Sequence, residues 1–261
     1  LVLLVSFFTA CKKEDAPQPT IPTPTPGNDA RSILLKEVVG QNLPNPYFKY
    51  VYNAEKYITE VSFASGMSVY KVEYENKRVK KVTNVKNGHT MLYNYTNGRV
   101  TQIDEFDLAN QKIFAYEMLY NNHGQLTQTN WKEFADDPIG HLYKKVVLSY
   151  HADGNLFAME IYYATGNVME LAITRQFSEY DDKTNVDDFY MMDEFFDTFL
   201  FLPQVKFQLN NPGKANIIGD VSTFEINYQY EFSNNLPVKK SGTMVQTRGP
   251  NIGQSIQVGY Q

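Results

Sequence analysis

The sequence predicts an all-β protein, an antiparallel meander of roughly 14–16 strands curled into an open or closed barrel-like sheet. Three observations carry that expectation. A tyrosine-led turn motif recurs along most of the chain, and a second set of turns falls between its copies. Aromatic residues make up 14 % of the composition, 19 Tyr and 17 Phe against a single Trp, and aromatic side chains favour the pleated surface of strands.

The first set of turns begins at Tyr52 and returns at Tyr74, Tyr95, Tyr120 and Tyr150, at intervals of 21 to 30 residues, with weaker copies at Tyr180 and Tyr230. Asn97-Gly98 and Asp153-Gly154 are its strongest signals, because both can supply the positive φ of a two-residue hairpin turn. The second set comprises Ser65-Gly66, Lys86-Asn87-Gly88, Leu108-Ala109-Asn110, the stretch 135–140 and Thr165-Gly166. The two sets alternate from Tyr52 to Asp182. Alternation of this kind places one set along each edge of a meander.

One segment departs from the β rhythm. In 186–202, Phe189, Met192, Phe196 and Phe199 follow helical spacing, with acids at Asp188, Asp193 and Asp197 and a stop at Pro203. The spacing predicts one short helix near 187–201 that covers or plugs the curled sheet. Closing strands are expected near 223–232, 238–246 and 255–260. Within the strands, Arg78-Val79-Lys80-Lys81-Val82 and Leu142-Tyr143-Lys144-Lys145-Val146 read as charge on both faces. A charge facing lipid at mid-membrane costs ~2–4 kcal/mol, so the expectation is a soluble sheet rather than a lipid-embedded barrel.

The N-terminal region reads differently. Residues 1–10 are an apolar run with the length of a signal-peptide h-region, trimmed at its start and too short to span a bilayer. Cys11, the only cysteine, follows at once, which excludes a disulfide framework. Residues 16–30 alternate Pro with Thr and favour an extended tether. The expected organisation is therefore a signal peptide at 1–10, a lipidated Cys and Pro/Thr-rich tether at 11–30, and a single β-meander domain at 31–261.

Phe8-Thr9-Ala10-Cys11 resembles the lipobox of bacterial lipoproteins, which implies lipid attachment at Cys11. Lys12-Lys13-Glu14-Asp15 resembles the charged tag that sends Bacteroidota lipoproteins to the outer face of the outer membrane. The hairpins look like the YD repeats of bacterial cell-surface shell proteins. With Tyr180-Asp181-Asp182-Lys183-Thr184-Asn185 and Asn210-Asn211-Pro212, the chain more closely resembles a Bacteroidota lipoprotein family of unknown function with a porin-like β fold. The resemblance implies an outer-membrane, lipid-anchored, surface-exposed protein. It implies no activity.

Candidate chemistry is sparse. His89, His123, His141 and His151 show no metal-ligand spacing, and no nucleophile elbow, phosphate loop or dinucleotide fingerprint is present. Glu179, Asp181, Asp182, Asp187 and Asp188 cluster at a turn without the spacing of a calcium loop. No catalytic residue, metal site or cofactor is expected. A net charge of −5 without a basic face argues against nucleic acid. Tyr52, Tyr74, Tyr95, Tyr120 and Tyr150 would line one edge, as core residues with wet hydroxyls or as an aromatic platform for a ligand. The leading expectation is a non-enzymatic binding or interaction module anchored to the membrane through lipid, with a glycan or protein as ligand. The alternatives are a glycan-binding lipoprotein serving an uptake system and a structural envelope protein. Metabolic labelling with a fatty acid checks the anchor: label is incorporated into the wild-type chain and lost in Cys11→Ala.

Overall fold

The computed structural model describes residues 29, 31–40, 43–134, 138–186, 193–194 and 198–260. Among these residues lie eighteen strands: β1 (Glu37–Val38), β2 (Phe48–Tyr52), β3 (Ile58–Phe63), β4 (Ser68–Glu75), β5 (Arg78–Asn84), β6 (Thr90–Thr96), β7 (Arg99–Phe106), β8 (Lys112–Tyr120), β9 (Leu126–Glu133), β10 (His141–Tyr150), β11 (Leu156–Thr165), β12 (Val168–Tyr180), β13 (Asp193–Glu194), β14 (Thr198–Phe199), β15 (Pro212–Gly219), β16 (Thr223–Ser233), β17 (Leu236–Arg248) and β18 (Ser255–Tyr260). Sixteen of them form one sheet in the order β1 to β12, then β15 to β18. Neighbours are antiparallel throughout. The predicted meander is the observed one, and the sheet is open, with β1 and β18 at its edges.

No helix occurs among the described residues. Where the sequence predicted one, β13 and β14 pair as a small hairpin, and Leu200–Leu202 continue as buried coil. Residues 187–192 and 195–197 lie outside the described residues. The apolar spacing that suggested a helix is built mostly from aromatic residues, which suit strands at least as well. The expected filling of the interior is nonetheless present in irregular form. Leu200, Phe201 and Phe207 are buried in one cluster with sheet residues such as Ile58, Tyr93, Ile103 and Leu156.

Local chemistry sets the turns. Asn97 (φ 49°) and Gly98 (φ 82°) form the predicted two-residue turn, and Asn76-Lys77 and Asn234-Asn235 take the same pair of positive φ values. Asp153-Gly154 does not. It belongs to a longer loop, closed by the His151 N–H on the Asn155 carbonyl (2.8 Å) and the Gly154 N–H on the His151 carbonyl (3.0 Å). Only Gly154 (φ 90°) has positive φ there, and the Asp153 carboxylate accepts the Asn155 N–H at 3.0 Å. Asn53 and Asn121 stabilise similar loops, each taking two backbone N–H groups on Oδ1 at 3.0 Å.

Each of the first five hairpins of the tyrosine set also contains a β-bulge. The register slips between Val51 and Tyr52, Glu73 and Tyr74, Asn94 and Tyr95, Leu119 and Tyr120, and Ser149 and Tyr150. The residue left without a partner is Thr59, Lys80, Thr101, Thr127 or Phe157. Burial follows the slip. Ile58, Val61 and Phe63 face inward, as do Val79 and Val82, Val100 and Ile103, Leu126 and Trp131, and Leu156, Met159 and Ile161. One step of three therefore replaces the strict period of two.

The bulge corrects the reading of strand charges. Val79 and Val82 are both buried while Lys80 is exposed and Lys81 forms an ion pair with Glu73 (2.7 Å), so both lysines lie outside. The other pair behaves as read. Lys144 is buried with its ammonium 3.6 Å from the Trp131 ring centre, and Lys145 stands over Tyr162 at 4.2 Å. Cross-strand ion pairs such as Asp104–Lys112 and Lys214–Glu225 (2.6 and 2.7 Å) lace the sheet further along.

Phe207 is 2 % exposed and belongs to the core cluster, so its ring acts as filling. Phe207→Ala is expected to cost about 3–5 kcal/mol, read as a shift in the midpoint of urea unfolding.

Candidate functional site

The tyrosines come together as the sequence indicated, and the structure shows what holds them. Between successive hairpins the backbone ladder ends early. β3 pairs with β4 only from Glu60 onward, β5 with β6 from Lys81, β7 with β8 from Gln102, β9 with β10 from Gln128, and β11 with β12 from Ala158. In each case the strand extends further back, and the residue two positions earlier (Ile58, Val79, Val100, Leu126 or Leu156) lies outside that ladder. A tyrosine hydroxyl supplies the missing donor. Tyr74 donates to Ile58, Tyr95 to Val79 and Tyr150 to Leu126 (each 2.8 Å), Tyr120 to Val100 (2.9 Å) and Tyr180 to Leu156 (2.7 Å). Tyr52 donates to Leu35 (2.8 Å) and Tyr230 to Pro212 (2.9 Å) in the same manner.

The rings are half-buried against the core, and several faces are covered. The Arg78 guanidinium lies over Tyr95 (5.4 Å) and that of Arg99 over Tyr120 (5.6 Å), while Tyr57 packs on Tyr74 with ring centres 4.7 Å apart. Burial pushes the Tyr52 hydroxyl up to about 12, and lifts Tyr74, Tyr95 and Tyr120 further still.

Two segments cross this edge on the inside. Asp29 is buried, receives the Val79 N–H on Oδ2 (2.8 Å) and the Gln204 amide on Oδ1 (2.6 Å), and burial raises its carboxyl above the usual range. Arg31 donates to the Pro203 carbonyl at 2.8 Å. Further along, the Leu156 N–H donates to the Phe207 carbonyl (2.8 Å), and Asn155 Oδ1 takes the N–H groups of Leu209 and Asn210 (2.8 and 2.9 Å). No motif in the sequence marks Asp29, Asn155 or Gln204 for these roles, because each acts on a segment far away in the chain.

The remaining candidates have structural partners. Asp181 accepts from the backbone of Lys183 and Asn211 (3.0 and 3.1 Å), and Asp182 is exposed beside Lys183. Asp187 and Asp188 lie outside the described residues. Among the described residues no three His, Cys, Asp or Glu converge as metal ligands. Cys11 also lies outside them. His89 Nδ1 is 3.0 Å from Glu105 Oε1, and the Tyr116 hydroxyl donates to the other oxygen of that buried carboxylate. The group stands beside Trp131, whose ring meets Tyr116 edge-on at 4.9 Å. The sequence did not single out Glu105.

One cavity stands out by position. It lies at the seam where the start of the sheet approaches its end, with a volume of about 240 Å³. Leu35, Val38, Val186, Pro237 and Val238 supply apolar walls, and Glu37, Lys239 and Lys240 supply charge. Lys239 pairs with Glu231 at 2.5 Å, and the Lys240 ammonium sits 4.3 Å from the Tyr228 ring centre. β18 pairs with β17 only from Lys240 onward, so Leu236–Lys239 have a ladder on one side only among the described residues.

This open all-β meander is shared with known structures. A porin-like protein from Bacteroides uniformis matches over 82 % of this chain and 87 % of its own, with 16 % identity and a TM-score of 0.55. A porin-like protein from Bacteroides vulgatus matches over 88 % and 98 %, with 12 % identity and a TM-score of 0.57. At these identities the likeness establishes the fold. No protein-family model and no curated protein matches the sequence.

Two measurements test the tyrosine row. Tyr95→Phe keeps the ring and strands the Val79 carbonyl, and should cost about 1 kcal/mol by chemical unfolding. The second is pH dependence. A hydroxyl whose folded pKa is raised is protonated longer in the folded than in the unfolded chain, so its stabilisation is complete below about 10 and lost as pH rises through the folded value. Stability should therefore fall between pH ~10 and ~12 for Tyr52, and Tyr52→Phe should flatten that limb of the curve.

Proposed function

We propose that this chain is a non-enzymatic binding or interaction protein, held on the outer membrane by lipid at Cys11, exposed at the cell surface, and taking its partner at the seam cleft. The cleft carries the reading. Its walls combine apolar side chains with two adjacent lysines at the end of a one-sided ladder. That lining suits an apolar group adjoining an anionic one. The lipobox-like Phe8-Thr9-Ala10-Cys11 and the fold shared with porin-like proteins of Bacteroides support the location. The same reading places the chain with the Bacteroidota lipoproteins that its motifs resemble.

The tyrosine row supports a glycan platform less well. Its hydroxyls are engaged by backbone carbonyls, and Arg78 and Arg99 lie on two of its ring faces.

Dodecanoate serves as a minimal probe of the cleft. Ligand that binds only the folded state raises Tm with concentration. Wild type should show that rise, and the double variant Val238→Asp, Lys239→Glu should not. Absence of a rise in wild type up to millimolar probe rejects the cleft as a site for this chemistry.

A further inference from the structure

The two edges of the meander differ in what they expose. Among the described residues, seven large apolar side chains are more than half exposed. Met67, Leu108, Ile139, Val168, Val221 and Ile252 lie in or directly beside six of the turns opposite the tyrosine edge, and Ile256 follows the last of these turns. The two most prominent, Leu108 and Ile139, are 82 % and 83 % exposed. Among the described residues, no turn on the tyrosine edge carries such a residue. Those turns instead present charge, including Glu55, Lys56, Lys77 and Asp153.

We infer that this apolar rim docks onto a lipid surface. Spacing favours lipid over a folded partner. Turns on one edge are two strands apart, about 9.5 Å, so the side chains form separate points rather than one patch. The residues between them are small or polar, such as Ser65-Gly66, Ala109-Asn110 and Gly166-Asn167. A protein partner would need a matching pocket for each point, whereas a fluid bilayer receives them all at once. Among the described residues the rim carries charge of both signs, with Lys86 and Asp220 exposed. Asp107 is committed to the backbone N–H groups of Ala109 and Gln111, and Arg248 to the Gly219 carbonyl and Thr223 hydroxyl.

The chain's reach is compatible with this orientation. Asp29 joins the fold at the tyrosine edge, the end away from the rim. The 17 residues from Lys12 to Asn28 can span up to about 55 Å. The longest strands, of 13 residues, cover about 43 Å. A chain fixed at Cys11 can therefore lay its rim on the same bilayer. That reach rests on the proposed anchor, and the rim itself does not.

The test uses the full chain carrying Cys11→Ser, which removes acylation, and phosphatidylethanolamine–phosphatidylglycerol vesicles in a flotation assay. Wild-type rim should float with the vesicles. The rim variant Leu108→Asn, Ile139→Asn, Val221→Asn, Ile252→Asn alters exposed tips only. It should retain its Tm and lose partitioning at least about a hundredfold. Ile139→Trp should show a blue-shifted emission on vesicle addition. Flotation of the rim variant equal to wild type overturns the inference and assigns binding elsewhere, as does failure of the wild-type rim to float. Rim-dependent self-association without flotation also overturns it, in favour of a second copy as the occupant.

Discussion

An antiparallel ladder that stops early leaves backbone groups without partners, and in this sheet that happens at every boundary between successive tyrosine hairpins. A carbonyl withdrawn from water and left without a donor costs about as much as a lost hydrogen bond. Ile58, Val79, Val100, Leu126 and Leu156 would each meet that cost. A tyrosine on the next strand meets it instead, with its ring lying across the gap and its hydroxyl on the carbonyl. The bulge beside each tyrosine belongs to the same device. It adds one residue to the following strand directly after the residue whose carbonyl takes the next tyrosine's hydroxyl, and increases local twist there. Turn, bulge and hydroxyl therefore form one unit, and the unit repeats because the gap repeats.

The same gap explains the interior. At Val79 and Leu156 the N–H also turns away from the hairpin, and it needs an acceptor from inside the sheet. Asp29 Oδ2 serves the first and the Phe207 carbonyl the second. The Leu209 carbonyl takes the Asn185 N–H, and the Pro203 carbonyl takes Arg31. A helix consumes its carbonyls along its own axis, four residues on. A segment that must offer carbonyls sideways to a sheet edge cannot be helical over those residues. The irregular course of 200–209 is thus a requirement of the sheet it fills, as much as a property of its own sequence.

Legibility in the sequence follows the range of each interaction. The turns were readable because Asn, Gly and Asp act within four residues, and their alternation was enough to give the meander. The bulges were readable in principle. Ile58, Val61 and Phe63 already carry the step of three, and Leu126, Thr129 and Trp131 repeat it. Reading them as strict alternation put Lys80 and Lys81 on opposite faces, when the bulge lets both face outward. The aromatic spacing of 186–202 failed for a different reason. Phe and Met satisfy helix and strand patterns alike, and the deciding partners lie far off in sequence. The seam cleft joins residues near 35 with residues near 238, and Glu105 meets His89 and Tyr116 only through register. Neither pattern exists along the chain.

The two edges of one meander consequently carry different obligations. On the tyrosine edge, hydroxyls, Asx turns and the crossing segments all satisfy backbone groups. A substitution there disturbs the ladder before it could change what is bound. The opposite edge closes its hairpins without the tyrosine hydroxyls, by local turn chemistry and bonds between neighbouring turns such as Arg248 on Gly219, and several of its tip side chains stand exposed. Free positions drift toward polar residues unless something selects otherwise, since exposed apolar side chains bring a risk of aggregation and no stability. Apolar residues exposed in most turns of the unconstrained edge, against none among the described turn residues of the constrained one, are therefore the distribution expected where function has moved to the surface the fold leaves unused. The seam obeys the same logic. It too lies where the ladder has run out, beside the stretch of β17 that β18 does not pair.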